Sequence, residues 1–170
     1  MKLTKNDITI CDFDYSHVDA KVDIINDAKN NTYLHYDLPL TKENTEKWYN
    51  NKDNSNRLDL TILKNNEIAG FIGLLSIDNR NKKAEYYICV DHHFSGQGIG
   101  TIASNLLLDY AFNELRLNKI YLFTEQDNNA AQHLFDKLHF AQEGLLKQDL
   151  IFNGKKINRY AYGLCKEDYE

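Results

Sequence analysis

Three of the chain's eight glycines fall within one short segment, at Gly96, Gly98 and Gly100. They follow a segment of strand character and precede a segment whose apolar residues recur at helical spacing. Glycine lets a backbone turn tightly and lets its N–H groups approach a ligand without an intervening Cβ. Because the first N–H groups of a helix have no partner within it, this turn is typical of a phosphate or pyrophosphate site.

Three kinds of phosphate site have glycine-rich turns of this sort. A Walker loop is excluded because no lysine precedes the hydroxyl of Thr101. A dinucleotide fingerprint is excluded because the pattern is GxGxG, follows four predicted strands and lacks an acidic strand end about 20 residues later. A pyrophosphate cradle for coenzyme A is left, with a glycine-rich loop that binds nothing as the alternative.

The segments around the glycines predict one α/β (α+β) domain. Its order is β-α-α-β-β-β-α-β-α-β-β, which gives a mixed, mostly antiparallel sheet of about seven strands flanked by about four helices. Five strands are predicted at 8–13, 58–65, 68–78, 84–90 and 119–125, and two more flank the Asn153-Gly154 turn. Helices are predicted at 17–30, from Thr41, after Gly100 and at 128–139.

Composition excludes several classes of protein. The net charge of −5 argues against a general nucleic-acid partner, and the longest apolar run, 68–75, is too short to span a membrane. Cys11, Cys89 and Cys165 form neither a disulfide framework nor a metal-binding pair, and the histidines show no zinc motif. These patterns predict a protein without a metal. Because the N-terminus has no signal-peptide core, we also expect the protein to be cytoplasmic.

The glycine segment FSGQGIGT, with the apolar helix after it, resembles the acetyl-CoA signature of the GNAT acetyltransferase superfamily. The segment DNNAAQHLFDKLHFAQEG resembles that superfamily's Asn-x-x-Ala/Ser…Leu-Tyr-x-Lys-x-Gly-Phe pattern. The closing KQDLIFNGKKINRYAYGL is similar to the C-terminal hairpin of its spermidine-type polyamine and ribosomal-protein N-terminal acetyltransferase branches. The agreement runs from about Glu67 to Leu164.

The resemblance implies acetyl-CoA as co-substrate. It assigns the pyrophosphate to the turn, the pantetheine arm to the preceding strand, and a further contact to the start of the last helix. The implied coenzyme residues are Ile88, Cys89, Val90, Ser95, Gly96, Gln97, Gly98, Ile99, Gly100, Thr101 and Asn128. Ser95 departs from the family's Gln or Arg, which predicts weaker coenzyme binding.

The resemblance also implies that an amine attacks the thioester directly. Neutralising a lysine-like amine at pH 7 costs about 4.6 kcal/mol, against about 1.4 kcal/mol for an α-amine, so a base helps a polyamine more. Glu85 is the candidate base, and an ion pair with Lys82 or Lys83 is its alternative role. Phe135 occupies the position at which the family has a tyrosine that acts as the general acid. Tyr160 is therefore the candidate for that role in this chain.

The first 56 residues, rich in Asp and Glu, are expected to form the acceptor side, and residues 58–165 the acetyl-CoA-binding core. Tyr33, His35 and Tyr36 could line an acceptor pocket. The acceptor is expected to be a small polyamine-like amine. A protein N-terminus, a catalytically weak acetyl-CoA-binding protein and assembly into a homo-oligomer stay open.

Overall fold

The computed structural model describes residues 1–169, which form one open eight-stranded sheet with four α-helices. The strands are β1 (Lys2–Lys5), β2 (Ile8–Asp12), β3 (Leu58–Lys64), β4 (Glu67–Asp78), β5 (Lys83–Val90), β6 (Lys119–Glu125), β7 (Ala141–Phe152) and β8 (Lys155–Cys165). The helices are α1 (Val18–Asn26), α2 (Lys42–Asn51), α3 (Ile99–Asp109) and α4 (Asn129–Lys137). The sheet order is β1-β2-β3-β4-β5-β6-β8-β7.

The predicted fold class is confirmed, with one strand more than the seven expected. The additional strand, β1, is short and mostly exposed, so it shows no alternation of apolar and polar residues. It pairs with β2 across a tight turn in which Asn6 has a φ of 57°. The pairing of an edge strand depends on its neighbour rather than on a buried face, which is why its own residues do not reveal it.

The sheet separates two apolar layers. Alternate residues of β4 and β5 point to opposite faces, so Ile72 packs in the main core with α3 while Phe71 packs in a smaller cluster with α1. On β5 the same alternation separates Tyr86 from Tyr87. The two faces of strands β4 and β5 therefore carry different side chains.

The two central strands, β5 and β6, are the sheet's parallel pair, and α3 connects them. They pair only along Lys83–Glu85 and Lys119–Tyr121. Beyond Glu85 the ladder ends, while β5 continues to Val90 and β6 to Glu125. The strands therefore diverge and open a cleft in the middle of the sheet.

Within residues 1–169, no helix is long and apolar enough to cross a membrane.

Candidate functional site

The cleft between the diverging strands has a volume of about 470 Å³. Its walls come from β5, β6, α4 and the segment that follows α1. Among the residues predicted for the site, the cleft is lined by Tyr33, His35, Glu85, Ile88, Cys89, Val90, Ser95 and Asn128. The structure thus brings together a majority of the predicted catalytic, acceptor and pantetheine residues around one opening.

The glycine turn lies at the mouth of the cleft and has the geometry of an anion cradle. Gly96 and Gly98 have φ values of 76° and 73°, in the left-handed region that favours glycine. A Cβ built on either residue meets no atom within 4 Å, so the space in front of this backbone is open. Gly98 is the N-cap of α3, and the backbone N–H groups of Ile99, Gly100 and Thr101 therefore have no partner inside the helix.

The first turn of α3 is fastened to the cleft wall. The Ser104 hydroxyl donates a hydrogen bond to the carbonyl oxygen of Gly100 at 2.5 Å, and it lies 2.6 Å from the Tyr86 hydroxyl of β5. A Cβ at Gly100 would lie 3.5 Å from Leu134 and 3.9 Å from Ile88, both of which line the cleft. The cradle and the cleft therefore form one continuous surface.

This continuous surface fits a pyrophosphate attached to a long, thin arm. The open backbone at Gly96–Gly98, together with Gln97, would hold the phosphates, and the helix N-terminus would oppose their charge. Ile88, Cys89 and Val90 would follow the arm, because their strand edge has lost its ladder partner. The side chain of Asn128 accepts a hydrogen bond from the Ala131 N–H at 3.2 Å, so it caps α4 while lining the cleft.

Cys89 lies in the cleft wall but is poorly suited to be a nucleophile. Burial raises the pKa of its thiol to about 11, and the charge of Asp91 acts in the same direction. With that pKa only about one thiol in 10⁴ is ionised at pH 7. The raised pKa of Cys89 therefore argues against an acyl-cysteine route.

This gives a first testable prediction. When the protein is mixed with acetyl-CoA at pH 7 in the absence of an amine, no hydroxylamine-sensitive acetyl adduct should form on Cys89. Intact-protein and peptide mass spectrometry would check it, with free glutathione as the reactive-thiol control. Stoichiometric acetylation of Cys89 within one turnover would show that the thiol, not the amine, attacks first.

Glu85 lies where the β5–β6 ladder ends, at the closed end of the cleft. Burial raises the pKa of its carboxyl group, and the Arg159 guanidinium partly opposes that increase. Arg159 is itself engaged by Asp149, with an N–O distance of 2.6 Å. A half-buried carboxylate with a raised pKa is suited to accept a proton near neutral pH.

The segment after α1 spans the two diverging strands. On the β5 side, the Asn30 side chain donates to Asp91 at 3.0 Å and accepts from the His92 N–H at 2.8 Å. On the β6 side, the Tyr33 hydroxyl donates to the Asp127 carbonyl at 3.1 Å, and His35 lies 3.3 Å from Glu125. These contacts cover the cleft on the face opposite α3.

Two predicted residues lie elsewhere. Tyr36 lines a separate pocket beside the cleft, and Tyr160 is not among the residues that line the cleft. The side-chain amide nitrogen of Gln126 lies 3.3 Å from the Tyr160 hydroxyl, outside the cleft lining. The role of Tyr160 as proton donor therefore stays a prediction. Phe135, at the position of the family's tyrosine, is buried against Tyr86 and Tyr162.

Sequence reasoning missed Glu125, Arg159 and Asn30. Glu125 and Arg159 reach the cleft from β6 and β8, and no motif marks either one. The many acidic residues of the N-terminal segment, by contrast, do not line the cleft, so its carboxylates come from β5 and β6. Only the alternation of β6, which turns Glu125 away from the buried face, could have indicated its direction.

One group of side chains could in principle hold a metal ion, because its ligand atoms lie within 4.8 Å of one another. It consists of Asp27, His92 and His93. His92 Nε2 is 2.7 Å from Asp27, and this contact ties the end of α1 to the segment before the glycine turn. His93 Nδ1 lies 3.0 Å from Asp91, so each histidine of the trio has a carboxylate neighbour.

Comparison with known proteins identifies a family and several relatives that are similar to this chain. The model of the acetyltransferase (GNAT) domain family matches residues 8–141, most of the chain. A spermidine N(1)-acetyltransferase of Escherichia coli (strain K12) is 33% identical over 103 residues, which are 61% of this chain and 55% of that protein. A protein of Bacillus subtilis (strain 168), named provisionally as a ribosomal N-acetyltransferase, is 29% identical over 123 residues, 72% of this chain and 67% of that protein. The match to the first of these relatives thus spans about half of its length.

Among solved structures, a spermidine N-acetyltransferase from Vibrio cholerae in complex with CoA and spermine superposes with a TM-score of 0.89. It is 22% identical and covers 96% of this chain and 98% of that one. At this identity the likeness establishes a shared fold.

Proposed function

Because the chain belongs to the acetyltransferase (GNAT) domain family, we propose that it transfers an acetyl group from acetyl-CoA to a small polyamine-like amine. The observation that carries the proposal is the continuous surface from the glycine cradle into a cleft that ends at a half-buried carboxylate. The 33% identity to a spermidine N(1)-acetyltransferase supports the choice of acceptor.

Acetyl-CoA supplies the activated acetyl group as a thioester. The chain's first task is to hold it, through the N–H groups of the α3 N-terminus and the open edge of β5. A backbone N–H at the end of β5, near Val90, is the candidate donor to the thioester oxygen. Such donors act most strongly where water is excluded, and the segment after α1 covers this part of the cleft.

The second task is to remove a proton from the acceptor. A primary amine of a polyamine is protonated at neutral pH and cannot attack while it carries that proton. The carboxylate of Glu85, directly or through one water molecule, would accept it. A raised pKa makes Glu85 a better base than an exposed glutamate would be.

The third task is to attract a cationic acceptor. Glu85 and Glu125 both line the cleft, while the positive charge of Arg159 is engaged by Asp149. Lys29 of the lining is exposed, and His35 lies 3.3 Å from Glu125. The acceptor end of the cleft is therefore acidic, which favours an acceptor with several positive charges.

An amine panel with acetyl-CoA and thiol-release detection tests the proposal. Turnover with spermidine and not with peptides beginning in Ala or Ser is expected. Turnover with those peptides alone would replace the proposal by protein N-terminal acetylation, the activity for which the Bacillus subtilis relative is named. Coenzyme binding by calorimetry without turnover of any amine would instead indicate a catalytically weak acetyl-CoA-binding protein.

A further inference from the structure

A second pocket, of about 370 Å³, lies between α1, α2 and the face of the sheet opposite α3. Its lining includes Lys21, Tyr36, Pro39, Leu40, Trp48 and Tyr87. Tyr87 also lines the cleft, so the two spaces are neighbours. The acetyl-transfer reaction proposed above uses nothing in this pocket.

Lys21 is the unusual residue of the pocket because it is a largely buried lysine whose ammonium group lies among aromatic rings. Only 9% of the residue is exposed, and Nζ lies 4.0 Å from the centre of the Trp48 ring. The rings of Phe13 and Phe71 are 5.3 and 5.6 Å away. These ring faces attract the cation but supply no hydrogen-bond acceptor oxygen.

Among residues 1–169, Lys21 Nζ has no carboxylate within ion-pair distance and no hydrogen-bond acceptor. No fully buried side-chain nitrogen of these residues lacks a partner, so this Nζ keeps contact with the open space of the pocket. The buried acid nearby is Asp59, whose carboxylate already receives two hydrogen bonds from Arg57, at 2.7 and 2.8 Å, and one from the Tyr87 hydroxyl, at 2.7 Å. Lys52 lies 3.3 Å from the same group.

The charges around Trp48 are therefore unbalanced in the positive direction. Three cations, those of Lys21, Lys52 and Arg57, lie over the Trp48 ring. The buried carboxylate of Asp59 pairs with Lys52 and Arg57 but not with Lys21, and the acid of the pocket lining, Asp37, is exposed. This occurs in a chain whose net charge is −5. A buried cation is stable in proteins when an anion completes its pairing, and here the space for one is open.

We propose that this pocket is a second ligand site, in which Lys21 pairs with the carboxylate of a small organic acid. The apolar body of the acid would lie against Trp48, Pro39 and Leu40. Phosphate fits less well, because a dianion needs several N–H donors and the guanidinium of Arg57 in the lining is already engaged by Asp59. A polyamine is repelled by the same cations that attract the acid, so this site and the acidic cleft select opposite charges.

Trp48 is the chain's only tryptophan, so its fluorescence reports directly on the pocket. The probe is benzoate, compared with benzyl alcohol and benzylamine, which have similar shapes but no charge and a positive charge. Benzoate should change the emission saturably and bind at least tenfold more tightly than either analogue. Equal binding of the three compounds, or tighter binding of benzylamine, would overturn the proposal.

Lys21→Met keeps the length and apolar stem of the side chain and should weaken benzoate binding at least tenfold. Lys42→Met, at an exposed lysine of α2, is the matched control and should leave binding unchanged. Unaltered benzoate affinity in a folded Lys21→Met protein would contradict the proposal.

The pH dependence of the unmodified protein gives a second readout that needs no variant. Burial lowers the pKa of Lys21 to about 8, so benzoate binding should weaken as pH rises through that region. Arg57 and Lys52 also face Lys21, and the hydrogen bond with Asp59 raises the pKa of Arg57. Burial opposes but does not overcome the hydrogen bonds that keep the pKa of Asp59 low, and burial raises the pKa values of Cys89, Tyr36 and Tyr87. Binding that is constant from pH 6 to about pH 9 would exclude Lys21 as the partner.

Discussion

Replacing Gly98 by Asp is expected to weaken acetyl-CoA binding about 100-fold without unfolding the protein. The Cβ of residue 98 points into open space, so the new carboxylate would enter the region assigned to the pyrophosphate. Two unit charges about 5.5 Å apart at an effective dielectric constant of about 20 repel by about 3 kcal/mol. That repulsion corresponds to about a 100-fold increase in the dissociation constant measured by calorimetry.

Two variants separate this charge effect from strain at the turn. Gly98→Asn has nearly the same shape and tolerates the left-handed backbone equally well, so it should bind far more tightly than Gly98→Asp. Gly154→Asp places the same residue at another open glycine, with a φ of 76°, in the β7–β8 turn and should leave coenzyme binding unaffected. Because a carboxylate stabilises a helix N-terminus, Gly98→Asp should melt no lower than Gly98→Asn. Equal coenzyme affinities of the two Gly98 variants would place the pyrophosphate elsewhere.

Replacing Glu85 by Gln should lower kcat for spermidine about 10²- to 10⁴-fold, the range typical of losing a general base. The amide keeps the size of the side chain but cannot accept the amine's proton. Coenzyme binding should persist, because the cradle is formed by backbone groups at the opposite end of the cleft.

The pH–rate profile distinguishes a base from a merely structural residue. Glu85 acts only when it is ionised, and burial raises its pKa. As pH is lowered, activity should therefore begin to fall at a higher pH than it would with an ordinary glutamate as the base. That acidic limb should disappear in Glu85→Gln, while rising pH should still partly restore the rate by deprotonating the amine. Glu67→Gln, at the exposed first residue of β4, is the control and should keep the limb. An unchanged profile in Glu85→Gln would remove Glu85 from the reaction.

Local sequence was sufficient for the features whose physics is local. The glycines before an apolar helical segment indicated a strand–turn–helix unit with an anion site, because left-handed φ and unpartnered N–H groups need only neighbouring residues. The succession of strands and helices followed from apolar spacing, apart from β1, which buries no face of its own.

The tertiary structure decided everything that depends on strand register. The β5–β6 ladder ends at Glu85, so Glu85 comes to the closed end of the cleft, and the divergence of the strands brings Glu125 into the same lining. Asp59, Gly73 and Tyr87 form one row across β3, β4 and β5, and Gly73 lets the Tyr87 ring cross to Asp59 since a Cβ there would lie 2.6 Å from it. Such contacts join residues remote in sequence, so their partners are selected by sheet pairing and helix packing.

Lys21 shows the same division between sequence and structure. The residues around Lys21 predict a helix, and lysines on helices are ordinarily exposed to solvent. Only the packing of α1 and α2 on the sheet places its ammonium group among three aromatic rings. The sequence by itself thus determined the fold class and the glycine turn before α3, because their signals lie within single segments. The charge of each pocket was decided by the tertiary structure, because it is the sum over side chains that distant segments bring together.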